Sequence, residues 1–167
     1  EILCCARKNF QIPPVQITIA SNLDAAAGVG SSSALCLGML SGLYALTNRI
    51  TSQDMSKREK QAIAKLAYEI QLKRQRHASG YDVLTQLTGG VIKFLPDYDS
   101  WPGRVELVSI DNTIFHKWFH FFVGKKGAPT TKILQSTKDW LEDSDRSSEF
   151  YQLSNKLVGL LVEIQSM

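Results

Sequence analysis

Apolar and polar residues alternate over residues 15–20, Val-Gln-Ile-Thr-Ile-Ala, which is the period of a strand with one buried face. The period then changes. From Ser33 onward apolar and small residues recur at helical spacing, predicting a tightly packed helix over 33–46. A second helix is predicted to start near Ser56, where Ser56 and Glu59 have the spacing of a capping box. It runs to about Arg76, with Ile63, Leu66, Ala67 and Ile70 at helical spacing. Strands are predicted over 91–95, 104–110 and 117–124, and helices over 130–141 and from Ser147 onward. Strands and helices that do not alternate regularly make the expected fold class α+β. The last helical pattern places Leu153, Leu157, Leu160, Leu161 and Ile164 on one side. A stripe of that kind needs a partner and, left bare, invites self-association, as in a homodimer.

The join between the first strand and the first helix carries the chemistry. Gly28 and Gly30 allow a backbone with positive φ and a close approach to a ligand. Ser31, Ser32 and Ser33 follow where the first turn of a helix has unpaired N–H groups. The N-terminal end of a helix carries roughly half a positive charge, so a phosphate suits it. Two common glycine motifs are excluded. No Lys follows Gly30 as a P-loop requires, and Ser33 stands where a dinucleotide fingerprint has its third Gly.

The run Asp24-Ala25-Ala26-Ala27-Gly28-Val29-Gly30-Ser31-Ser32-Ser33-Ala34 resembles the nucleotide-phosphate motif of the GHMP kinase superfamily, Pro-x-x-x-Gly-Leu-Gly-Ser-Ser-x-Ala, with Asp24 in place of the proline. Further on, His77-Ala78-Ser79-Gly80-Tyr81-Asp82-Val83, then Thr88-Gly89-Gly90, is similar to the segment of that superfamily that holds the acceptor-site aspartate. A third run, Phe122 to Lys132 with Pro129, Thr130 and Thr131, resembles bacterial phosphomevalonate kinases, as does Trp101-Pro102-Gly103 upstream of it.

The resemblance implies an ATP-dependent kinase acting on a small phosphorylated molecule. Its reaction would take phosphomevalonate to mevalonate diphosphate in isoprenoid biosynthesis, with mevalonate kinase as the close alternative. Gly28, Val29, Gly30, Ser31, Ser32 and Ser33 would then bind ATP, and Ser32 would offer its hydroxyl to Mg²⁺, a hard ion that takes oxygen ligands. Asp82 would be catalytic, and Ser79, Gly80 and Thr131 would bind substrate. In mevalonate kinases a metal-binding Glu lies eleven residues before the Asp; here that place holds Gln71, with Glu69 two residues earlier. The implied fold is a ribosomal protein S5 domain 2-like first domain over 1–112 and the start of a ferredoxin-like second domain over 113–167. A GHMP-fold decarboxylase of mevalonate diphosphate and a non-catalytic ligand-binding module are readings from other classes.

The opening strand motif of the superfamily and its closing Gly-rich loop are not in the sequence, so the chain is expected to be a piece of a protein about twice as long. It is expected to be inactive alone. Other features narrow the partners. The 44% apolar content suffices for a core, and a net charge of +3 is too small to argue for nucleic acid. The cations cluster at Lys57, Arg58 and Lys60 and at Lys73, Arg74 and Arg76, as on a solvated helix face. Cys4, Cys5 and Cys36 have neither disulfide nor zinc spacing, and Cys36 reads as a small buried hydrophobe. His116 and His120 fall in an aromatic run that reads as strand rather than as metal ligands. The apolar stretch around the glycine loop is broken by Asp24 and serines, so it cannot span a membrane, and the expected location is cytoplasmic.

Overall fold

The computed structural model describes residues 1–22, 28–51, 53–75, 78–97, 99–109 and 130–166. Six helices and two strands are described: α1 (Ile2–Asn9), α2 (Ser31–Asn48), α3 (Lys57–Gln75), α4 (Tyr81–Thr88), β1 (Val91–Leu95), β2 (Arg104–Val108), α5 (Thr130–Leu141) and α6 (Ser144–Ser166). The chain divides into two compact units, Glu1–Ser109 and Ile110–Met167. Helices together with a small antiparallel sheet give the α+β class that the sequence predicts.

The core of the first unit lies between α2 and α3. Cys36, Leu40 and Leu43 of α2 meet Ile63, Ala64, Ala67 and Ile70 of α3, with Val83 of α4, Ala6 of α1 and Met55 completing the cluster. Ala64 and Ala67 are fully buried. Their small side chains let the two helix backbones approach. The predicted capping box opens α3: Ser56 N donates to Glu59 Oε2 at 2.7 Å, and Glu59 N donates to Ser56 Oγ at 3.3 Å. The other Glu59 oxygen accepts from Tyr44 Oη of α2 at 2.6 Å, so one carboxylate caps α3 and ties it to its neighbour. The Ser56 hydroxyl, and then Tyr44, hold the Glu59 carboxyl down at about 2.

The two strands pair antiparallel, Val91 opposite Val108 and Leu95 opposite Arg104. β1 forms over the residues predicted for it, while β2 stops at Val108, two residues before the predicted end. The strand predicted over 15–20 does not form. Those residues belong to no ladder, and Val15, Ile17 and Ile19 are 39–60% exposed. Alternation prepares two faces, but a strand exists only where another strand takes its hydrogen bonds. In contrast, α1 and α4 are helices that the apolar spacing does not predict.

The second unit has two described helices. α5 covers the predicted span, and α6 begins at Ser144, three residues earlier than predicted, where Asp143 Oδ1 accepts from the backbone N–H of Asp145 and Arg146. On α6, Leu153, Leu157, Val158 and Leu160 are 56–60% exposed. The strand over 117–124, Asp24, His77, His116, His120 and the run 122–129 lie outside the described residues, as do the side chains of Thr131, Leu161 and Ile164.

Candidate active site

Gly30 is the hinge on which the site turns. Its φ of +72° places it in the left-handed region, and from there its carbonyl accepts the first bond of α2 from Ala34 N at 3.0 Å. Gly28 also has φ of +72°, so two left-handed residues flank Val29 and curl the loop into the helix start. A Cβ added at Gly30 would lie 2.9 Å from Gln86 Nε2 and 4.0 Å from Asp82 Cβ. Gln86 Nε2 in turn donates to the Gly30 carbonyl at 3.0 Å. The glycine loop and the helix bearing Asp82 are therefore neighbours, although more than fifty residues separate them along the chain.

The three serines that follow diverge because each helical step turns by about 100°. Ser32 is exposed, and with Ser31 it lines a groove of about 1110 Å³ between α2 and residues 15–21. Apolar residues such as Ile17, Leu35, Met39 and Leu46 make most of the groove, and Arg74 of α3 is its one cation among the described lining residues. Ser33 is fully buried. It shares a face with Cys36, Leu40 and Leu43, at positions i, i+3, i+7 and i+10, and so enters the core beside α3 and α4.

There Ser33 Oγ donates to Asp82 Oδ2. Gln71 of α3, 5% exposed, donates from Nε2 to Ser33 Oγ at 2.5 Å and to Asp82 Oδ2 at 3.1 Å. The second carboxylate oxygen, Oδ1, accepts from Val83 N at 3.0 Å. The hydrogen-bond sense is self-consistent. A carboxylate only accepts, so the serine proton goes to Asp82, and the serine oxygen is then left to accept from an amide N–H.

Asp82 takes its place because Gly80 opens α4. Gly80 is buried with φ of +81°, and a Cβ there would meet Tyr68 Cδ2 at 2.9 Å and Trp101 Nε1 at 3.2 Å. Tyr68 and Trp101 stack with ring centroids 5.5 Å apart and close off the outside of that turn. Gly80 thus makes room for a tight turn, and Ser79 before it is half-buried. One turn beyond Ser33, burial pushes the Cys36 thiol up to about 11, which leaves it an inert packing group.

The donor set bears on metal binding. Among the described residues no group of three or more His, Cys, Asp or Glu side chains could hold a metal ion. A cation here would need oxygens from a ligand, and the exposed Ser32 hydroxyl beside the groove fits Mg²⁺ that arrives on nucleotide phosphates, since that ion usually keeps few protein ligands. Thr131 is on α5 of the second unit. Of the predicted site residues, the structure brings Gly30, Ser33 and Asp82 together, keeps Gly28, Val29 and Ser32 exposed, and adds Gln86, which carried no sequence signal beyond lying one helical turn after Asp82.

Residues 1–90 match the family described as the GHMP kinases N terminal domain. The chain belongs to this family, whose members are kinases that use ATP and typically Mg²⁺. It is also 36% identical over 81 residues to a protein of Saccharolobus solfataricus named mevalonate kinase, an alignment covering 48% of this chain and 24% of that protein. The chain thus spans about a quarter of that relative. No solved structure gives a significant match. Among the described residues, no helix is long and apolar enough to cross a membrane.

Proposed function

We propose that the whole protein is an ATP-dependent small-molecule kinase that phosphorylates phosphomevalonate to mevalonate diphosphate. One juxtaposition carries the reading. The loop that opens α2 and the carboxylate of Asp82 are bridged by Gln86 on Gly30 and by Ser33 on Asp82, and a kinase must hold its phosphate donor and its acceptor side by side. Phosphoryl transfer asks the protein mostly for positioning and charge stabilisation. Backbone N–H groups from Gly28 to Ser32 would hold the ATP phosphates, and Ser32 would hold Mg²⁺, which when bound neutralises charge developing on them. An oxygen of the acceptor phosphate attacks the terminal phosphorus of ATP, the bond to the bridging oxygen breaks, and ADP leaves. Asp82 would align that acceptor in its singly protonated form, accepting from the phosphate O–H while another phosphate oxygen attacks, whereas a mevalonate hydroxyl would give its proton to Asp82. Ser79, Gly80 and Thr131 would lie on the substrate side. The same reading makes the first domain ribosomal protein S5-like and the residues after 112 the start of a ferredoxin-like second domain.

The relative named mevalonate kinase favours mevalonate as the second candidate acceptor. ADP release by the whole protein, measured with ATP and each acceptor in turn, tests both. Turnover with phosphomevalonate supports the reading, and turnover with mevalonate alone replaces it by the second. CO₂ release from mevalonate diphosphate identifies a decarboxylase, and ATP binding without transfer to any acceptor identifies a binding module.

A further inference from the structure

We propose that Ser33 and Gln71 are positioning residues that fix the Asp82 carboxylate in one rotamer and leave Oδ1 as the oxygen that meets the acceptor, an inference that rests on the kinase reading. Asp82 Oδ2 accepts two buried donors, Ser33 Oγ and Gln71 Nε2, which occupy both of its lone-pair directions. Among the described residues Oδ1 accepts from Val83 N alone, which leaves it a second lone pair. The two donors come from different helices, so a carboxylate on the half-buried first turn of α4 is braced by α2 and by α3 at once. Ser33 and Gln71 are the two buried polar side chains among the described residues, and of their three described side-chain bonds two run to this one carboxylate and the third joins them to each other.

Gln71 suits the task because it is an amide. A carboxylate in its place could not donate to Ser33 or Asp82, and it would set a second negative charge about 3 Å from Asp82 Oδ2. Ser33 suits it because a hydroxyl can accept from the amide while it donates to the carboxylate, passing polarisation along a short chain. The assignment separates Ser33 from its neighbour. A phosphate ligand would act on ATP affinity, while a residue that aligns Asp82 acts on the rate of transfer once both substrates are bound.

Ser33→Ala in the whole protein should lower kcat by roughly 10- to 100-fold, because misplacing a reacting group by about 1 Å costs on that order. Affinity for ATP should stay within about twofold. In an Asp82→Ala background, Ser33→Ala should cause no further loss of kcat, as expected for residues that act through one group. Gln71→Met, which keeps the length and removes the donor, should repeat the pattern and provides a second route if Ser33→Ala folds poorly. Additive kcat losses in the two backgrounds, or ATP affinity that falls in step with kcat, would overturn the proposal. Denaturant unfolding of the same variants tells the two layers apart. Coupled stabilities of Ser33 and Asp82 with no turnover by the parent protein would sink the kinase reading and the positioning role with it, whereas uncoupled stabilities with normal turnover would sink the positioning role alone.

Discussion

The two sides of α2 show how one helix start can do two jobs. On one side Ser32, Leu35, Met39 and Leu46 border a wide groove, and Gly38 and Gly42 have nothing within 4 Å of where a Cβ would be. On the other, Ser33, Cys36 and Leu40 are 0–3% exposed and close-packed. Three serines in a row are chemically equivalent as letters. A rotation of about 100° per residue makes one a surface hydroxyl at a helix N-terminus and the next a buried brace for a carboxylate. The lesson concerns rigidity. In the proposed kinase the loop that would admit a phosphate is open, and the carboxylate that would align the acceptor is tied down from behind.

Substitutions on the closed side have the largest expected effect. Asp82→Asn keeps the shape and removes the charge that aligns the acceptor; misplacing a reacting group costs on the order of 10² in rate, and loss of a base toward a hydroxyl acceptor about 10² to 10⁴. Steady-state kinetics of the whole protein should show that fall in kcat with ATP affinity little changed. From the open side, Gly30→Val adds a branched side chain at φ of +72°, where Gln86 Nε2 already lies 2.9 Å from the first added carbon. The left-handed backbone alone costs about 1–2 kcal/mol in stability. Calorimetry should detect no ATP binding in a protein that still unfolds cooperatively, and retained affinity would remove the loop from the nucleotide site.

Smaller effects sharpen the contrast. Ser56→Ala, which takes away half of the capping box, should lower stability by about 1 kcal/mol in denaturant melts without touching kcat. The partner carboxylate predicts a pH signature. Because folding lowers the Glu59 pKa to about 2 from 4.5, its contribution is complete above about pH 4.5 and is lost as pH falls toward 2. Glu59→Gln should flatten the stability profile over that window. Smallest of all, Cys36 should resist a thiol reagent at pH 8 in the native protein while exposed Cys4 reacts, since burial has pushed the Cys36 thiol to about 11.

Much of this was legible from residue order, and the failures have physical reasons. α2, α3 and α5 announce themselves because their apolar stripes are long, and the capping box at Ser56 and Glu59 is a local device needing nothing from elsewhere. α1 and α4 are eight residues each, two turns, too short for periodicity to stand out. Residues 15–20 alternate well, yet pairing depends on a partner that alternation cannot reveal. Within the site, the glycine loop and the aspartate segment were readable as motifs. The inward turn of Ser33 is not part of either motif, although its spacing to Cys36 and Leu40 carries that signal. Gln71 drew notice only through the place it occupies, because a buried glutamine on a helix leaves no trace of which carboxylate it will meet.

The division of labour between neighbouring serines is tested most directly by calorimetric titration of the whole protein with ATP and Mg²⁺, comparing Ser32→Ala with Ser33→Ala. Ser32→Ala should weaken nucleotide binding by about tenfold, the effect of one charge-assisted contact of about 1.4 kcal/mol, while Ser33→Ala should bind as the parent does. Equal losses at both positions, or a loss at Ser33 alone, would contradict this division.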